Sequence, residues 1–382
     1  MSRSFDSALW SYGFRPFFLV AALAAPLLVL CWLIALLGGH RLSVYFDPLT
    51  WHAHEMLFGF AGAMIAGFLL TAVPNWTKSP AVHGVPLGLL CGLWVLGRSL
   101  FLLSDSLLVT VVDLAFMPAL AALILPPLWR ARDPKRLVFS FILLAFWCAN
   151  ALTHLQVIAR KPGLANVGLH IALGLTILLI VIIGGRVIPF FTERALSEHS
   201  HQQRRWRVVE ITSILSAVLL PVMDFLPIPL VVAVCSIAAL AHGVRLGGWY
   251  LPGVWSTPLL WVLYIGYAWV AIGFALKSAA ALGSVPASAA THAFTAGAMG
   301  IVGLGIMARA SLGHTGRALE PSRITVASFI FVTTAAALRV GGPLFNLPMR
   351  PVLIGAGWLW VLAFLGFLVV YLPILTKPRA DA

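Results

Sequence analysis

Apolar runs of about twenty residues recur a dozen times along this chain, and they decide its fold class before any other feature is read. The hydrocarbon of a bilayer is roughly 30 Å thick, so each run is long enough to cross it as a helix. The runs lie at roughly 17–38, 55–76, 86–104, 106–129, 137–158, 166–190, 208–226, 228–247, 258–279, 288–309, 323–341 and 351–373. Within hydrocarbon each segment has to satisfy its own backbone polar groups, which makes such runs helices. The residues are 61% apolar and only 10% charged, a balance that excludes a soluble domain. The connecting loops are too short to hold one. The expectation is an all-α integral membrane protein, a single bundle of about 12 transmembrane helices forming one domain over residues 1–382.

Loop charge sets the orientation, because Lys and Arg accumulate on the cytoplasmic side. With the N-terminus inside, 18 of the 25 Lys and Arg residues are cytoplasmic, among them Arg3, Arg15, Lys78, Lys135, Arg194, Arg309, Arg317 and Arg379. The other side keeps Arg41, Arg98, Arg160, Lys161, Lys277, Arg339 and Arg350. Both termini are therefore expected in the cytoplasm. The net charge of +13 then reflects topology and contact with anionic lipid, not a nucleic-acid footprint. The first run follows a 16-residue leader and reads as a retained span, not a cleaved signal. Cys31, Cys91, Cys148 and Cys235 stand singly in different helices, without a CxxC, and read as small packing residues. No short-period repeat is evident.

Five histidines then stand out. Asp47-Pro48 is a helix start, with Asp as N-cap and Pro in the first turn, and Trp51-His52-Ala53-His54-Glu55 follows it at the outer face. Residues two apart on a helix point about 200° away from each other, so His52 and His54 should address different neighbours. Glu55, three residues after His52, is expected to orient that ring. His154 lies about one turn below the outer end of the fifth helix, with Asn150 a turn deeper on the same face. His170 and His292 lie about one turn into the sixth and tenth helices. Five imidazoles at one depth point to a metal site, since neutral imidazole suits haem iron and copper.

The remaining candidates rank lower. Arg98 and Asp113 are intramembrane charges on neighbouring helices. They are expected to pair, with haem-propionate binding by Arg98 as the alternative. Met299 is on the His292 face and is read first as packing. Arg309, His314 and Arg317 belong to a loop rich in arginine and glycine that would favour an anion. His40 stands at an outer helix end, His83, His199 and His201 in cytoplasmic loops read as solvated, and His242 has no evident partner. The inner half has no carboxylate chain, which argues against proton pumping.

The stretch Trp51-His52-Ala53-His54-Glu55-Met56-Leu57-Phe58-Gly59-Phe60, with Ile65-Ala66-Gly67-Phe68 and Val73-Pro74-Asn75-Trp76, resembles the NnrS family. So do Gly13-Phe14-Arg15-Pro16-Phe17-Phe18, Gly185-Arg186-Val187-Ile188-Pro189-Phe190-Phe191-Thr192 and Met307-Ala308-Arg309-Ala310-Ser311-Leu312-Gly313-His314-Thr315-Gly316-Arg317. The resemblance implies a multi-pass protein of the bacterial inner membrane that contains haem and copper. It also implies a role in nitric oxide metabolism and resistance to nitrosative stress, alongside denitrification. The haem would be b-type, because the chain has no CxxCH attachment motif. The ligand set of His52, His54, His154, His170 and His292 comes from the residues themselves, and no motif identifies an electron donor. The partners expected are nitric oxide or a related nitrogen oxide and the lipid bilayer. A twelve-helix secondary transporter is the alternative, but transporters place polar sites near the midplane. Here they gather in the outer third.

Overall fold

The structure is a computed structural model. It describes residues 7–40, 43–132, 134–196 and 202–381, with only the backbone at Pro134 and Lys135. Arg3, Arg41, His199, His201 and the Lys135 side chain thus lie outside the described residues. Among the described residues, twelve helices are long and apolar enough to cross a membrane. They are α1 (Phe14–Gly38), α2 (Pro48–Thr77), α3 (Val85–Leu103), α4 (Leu107–Arg130), α5 (Arg136–Ile158) and α6 (Leu164–Ala195), followed by α7 (Arg207–Phe225), α8 (Ile228–Trp249), α9 (Pro258–Ala281), α10 (Ala287–His314), α11 (Arg323–Leu344) and α12 (Met349–Thr376). Among the described residues there is no strand.

Capping chemistry sets the start of α2. Asp47 Oδ1 accepts from the backbone N–H of Leu49 and Thr50 at 3.0 and 3.1 Å, and Pro48 sits in the first turn. The helix therefore begins well ahead of its apolar run, and Trp51, His52 and His54 are helical. The α-helical pattern then gives way to a seven-residue π-helical segment, Glu55–Ala61, before it resumes at Gly62. A second such segment, Ala293–Met299, interrupts α10 directly after His292. Wide turns of this kind are rare and concentrate at functional sites.

The chain divides into two compact units. The first comprises residues 1–172, 311–318 and 368–382, and the second comprises residues 173–310 and 319–367. Lipid tails are as apolar as leucine, so helices in a membrane associate through close packing and polar contacts, not through exclusion from water. In the first unit Gly67 of α2 lies against Phe17 and Phe18 of α1, and Gly62 faces Met117 of α4. Tyr45, Phe46, Trp51, Phe101 and Val109 form a buried cluster there. In the second unit α9 runs along α8 and α10, with Gly266 against Val302 and Gly305 against Val262 and Leu263. All four cysteines are free.

Candidate metal centre

Four helices of the first unit and the segment before α2 deliver polar side chains to one buried point. His54 comes from α2, Asp113 from α4, and Asn150 and His154 from α5, each at most 4% exposed. Asp113 Oδ2 lies 3.0 Å from His154 Nε2, 3.3 Å from His54 Nε2 and 2.7 Å from Asn150 Nδ2. One ligand-capable atom each from His54, His154 and Asp113 falls within 4.8 Å of the others, a spacing at which the three could hold a metal ion.

Each of the three has a partner behind it. Glu55 Oε1 accepts from His54 Nδ1 at 3.1 Å. The Tyr45 hydroxyl bonds His154 Nδ1 at 2.9 Å and the Thr110 hydroxyl at 2.6 Å. Arg98 of α3 donates to Asp113 Oδ1 and approaches Glu55 Oε2 at 3.3 Å through Nε. Gly59 stands at the point of approach, where a side chain would crowd both Arg98 and Glu55. Partners of this kind fix the tautomer and orientation of metal-ligating histidines. Tyr45 precedes α2, and burial pushes its phenol up from its ordinary value, with the Thr110 bond opposing. It stays protonated, so the hydroxyl can donate to Thr110 and accept from His154 Nδ1.

The charge and hydrogen-bonding pattern of the site suits a cation. Two carboxylates, Glu55 and Asp113, face one guanidinium, Arg98, so with both ionised the buried site holds one negative charge more than positive. Such a charge is costly unless compensated. His54 marks where compensation belongs: Nδ1 faces Glu55 Oε1, while Nε2 faces Asn150 Oδ1 at 2.9 Å and Asp113 Oδ2. The bond from Asn150 Nδ2 to Asp113 fixes the amide, so Oδ1 is the atom turned to His54. A neutral imidazole has one N–H and cannot satisfy acceptors at both nitrogens. Either the ring or one of the facing carboxylates holds a further proton, or a cation stands between Nε2 and the oxygens.

An ion fits this space and a haem does not. Phe46, Phe58 and Phe101 pack on the His54 ring with centroids at 5.2, 4.9 and 4.8 Å. Phe46 and Phe101 also flank His154, and the two imidazoles stand 5.7 Å apart. A macrocycle between them would need the volume that these rings fill.

The other expected residues are placed as follows. His52 stacks on Trp32 at 4.5 Å, away from His54, as the 200° offset requires. Glu55 bonds its chain neighbour His54 instead of the expected His52. Asn150 likewise bonds His54 as well as Asp113, and the expected Arg98–Asp113 pair is formed. His170 and His292 each bond through Nδ1 to the carbonyl one turn back, Asn166 and Ser288, at 2.7 Å. His292 belongs to the second unit, while His52, His54, His154 and His170 belong to the first. Met299 is buried within the second π segment. Arg309 lies over the Phe191 ring at 3.9 Å, the His314 ring packs on Phe14, and Arg317 donates to Thr315 O. His242 does have partners, the hydroxyls of Tyr267 at 2.8 Å and Ser216 at 3.3 Å. Asp113 was read only as a charge partner and Tyr45 not at all. An acid alone in an apolar helix was the available signal for the first, and nothing local marks the second.

A family model described as NnrS protein matches residues 8–379. No curated protein matches the chain.

Proposed function

The chain belongs to the NnrS family of nitric-oxide-related membrane proteins, and from that premise we propose that His54, His154 and Asp113 hold a copper ion at which the protein meets nitric oxide or a related nitrogen oxide. The observation that carries this is the uncompensated charge around Asp113, with both imidazoles turned toward one of its oxygens. Two imidazoles and a carboxylate suit a divalent first-row ion, and Cu²⁺ heads the affinity order for such sets. Bound there, copper would supply a redox-active site for a small diatomic ligand.

The protein's own groups do the rest. Glu55 keeps the proton on Nδ1 of His54, which directs Nε2 to the ion. Tyr45 does the equivalent for His154: its hydroxyl oxygen accepts the Nδ1 proton, which leaves Nε2 for the ion. Arg98 holds both carboxylates in place, and Phe46, Phe58 and Phe101 keep water out. Nitric oxide is small, uncharged and soluble in lipid, so the aromatic wall admits it more readily than ions. In this reading the site lies near the periplasmic face of a bacterial inner membrane, both termini are cytoplasmic, and the role is resistance to nitrosative stress in denitrifying cells. Haem b, which the family resemblance implies, is proposed to sit outside this trio, with His52, His170 and His292 as the remaining histidines of the set.

Metal analysis and electron paramagnetic resonance of the purified protein test this. Near-stoichiometric copper should be present in the wild type and in His83→Ala, and largely lost in His54→Ala and His154→Ala. Copper retained in both of the latter at normal protein levels would remove the site. A reporter fused at Pro48 should read outside and one at Pro134 inside; the reverse pattern would invert the topology.

A further inference from the structure

The two π-helical segments belong to a repeat. Pro48, His54, Gly59, Gly62 and Gly67 in α2 find counterparts at one constant offset in Pro286, His292, Gly297, Gly300 and Gly305 of α10. The pattern Pro-x5-His-x4-Gly-x2-Gly-x4-Gly is thus written twice, and in each copy the seven π-helical residues start immediately after the histidine. Packing repeats as well. The last glycine of each copy meets the preceding helix, Gly67 on Phe17 and Phe18 of α1 and Gly305 on Val262 and Leu263 of α9. The fourth element of the pattern meets the helix two further on, Gly62 on Met117 of α4 and Gly300 on Trp360 of α12. Each copy is also followed by a helix with an arginine near its C-terminal end: Arg98 in α3 and Arg339 in α11.

The copies differ in charge. In the first unit Arg98 is met by Glu55 and Asp113. In the second, Ala293 stands where the pattern puts Glu55, and α12 carries no acid at all. Ala289, Ala293 and Val340 form one buried cluster, which brings the neighbouring residues His292 and Arg339 to the same level of α10 and α11. Nη1 of Arg339 is buried and has no hydrogen-bond partner. Among the described carboxylates of this unit, Glu193 pairs with Arg205, Glu210 with Arg245 and Asp224 with Lys277. Glu320 precedes α11 and lies about 24 Å along that helix from Arg339. None can neutralise it.

We infer that the second unit carries an anion site, built from Arg339 and His292, for a planar monoanionic oxyanion: nitrite, or the carboxylate of a larger ligand. A guanidinium fork matches two coplanar oxygens. His292 donates Nδ1–H to Ser288 O, which leaves Nε2 an acceptor, so the guanidinium binds the anion and the imidazole borders it. The inference uses only residues of the second unit and stands whether or not His54, His154 and Asp113 bind copper.

The test uses the full chain in detergent. Melting temperature is titrated with sodium nitrite and with sodium formate, against chloride at equal ionic strength, and retained small molecules are followed by absorbance and mass spectrometry. Arg339→Gln is the probe, and Arg350→Gln, an exposed arginine that follows α11, is the control. Ala293→Glu supplies internally the acid that the first copy has. Nitrite or formate should raise the melting temperature of the wild type and of Arg350→Gln, with apparent affinity about tenfold or more weaker in Arg339→Gln and Ala293→Glu. That outcome assigns a free oxyanion. Insensitivity to both salts, with a carboxylate-bearing molecule that co-purifies with the wild type and is lost from Arg339→Gln alone, assigns the larger ligand. Equal shifts in wild type and Arg339→Gln, or no shift and no retained molecule, would overturn the inference.

Discussion

Oδ2 of Asp113 lies 3.0 Å from Nε2 of His154, and that single oxygen also serves His54 and Asn150. Three groups converge on it while Arg98 occupies Oδ1. If a cation belongs here, the charge of Asp113 matters more than its shape. Asp113→Asn, nearly isosteric, is therefore expected to reduce bound metal about tenfold or more at normal protein levels, since the ion loses its only anionic ligand. Metal content per protein after gel filtration measures it; an unchanged ratio would mean that Asp113 is only a structural acceptor.

The helices were legible in the sequence because the bilayer allows so few alternatives: twelve runs, twelve spans. Their ends were less so, since hydropathy marks the apolar middle while caps such as Asp47 set the boundary. In the site, His54, His154, Asn150 and Arg98 were each identifiable as polar groups that hydrocarbon tolerates only for a reason. Their pairing was not. Glu55 bonds its chain neighbour His54, a contact that the three-residue spacing to His52 does not express. Tyr45 reaches His154 across more than a hundred residues from a segment with no periodicity, so no spacing encodes the contact.

The groups behind the ligands provide a graded test. Glu55→Gln and Tyr45→Phe keep both imidazoles but loosen their orientation, and such partners are typically worth about 10- to 100-fold in metal affinity. Both variants should bind copper more weakly by that order in a competition titration with a chelator, and with altered resonance parameters. Wild-type affinity in both would show that the ring orientations are fixed by Phe46, Phe58 and Phe101 alone.

Arg98 is expected to matter for stability first. Removing one member of a buried charge cluster leaves its partners uncompensated, at a cost of roughly 3–5 kcal/mol. Arg98→Leu should lower the unfolding midpoint strongly, because it strands Glu55 and Asp113 together. Adding Glu55→Gln to that variant should restore part of the loss, since one of the two stranded charges is then gone. Losses that simply add would mean that the two residues are uncoupled despite their 3.3 Å approach.

The sharpest contrast lies within one turn of one helix. His52 and His54 are two residues apart, yet His52 stacks on Trp32 while His54 is fully buried among Glu55, Asn150 and Asp113. An alanine at either position removes one imidazole from the same helical stretch, so propensity and backbone effects nearly cancel between the two variants. His54→Ala is expected to lose copper and to leave Asn150 Oδ1 without its imidazole partner. His52→Ala should keep copper at the wild-type ratio and instead change the fluorescence of Trp32, which loses its stacked neighbour. Equal copper loss in both variants would mean that the two rings serve one centre, and the division of labour set by their opposite directions on α2 would have to be abandoned.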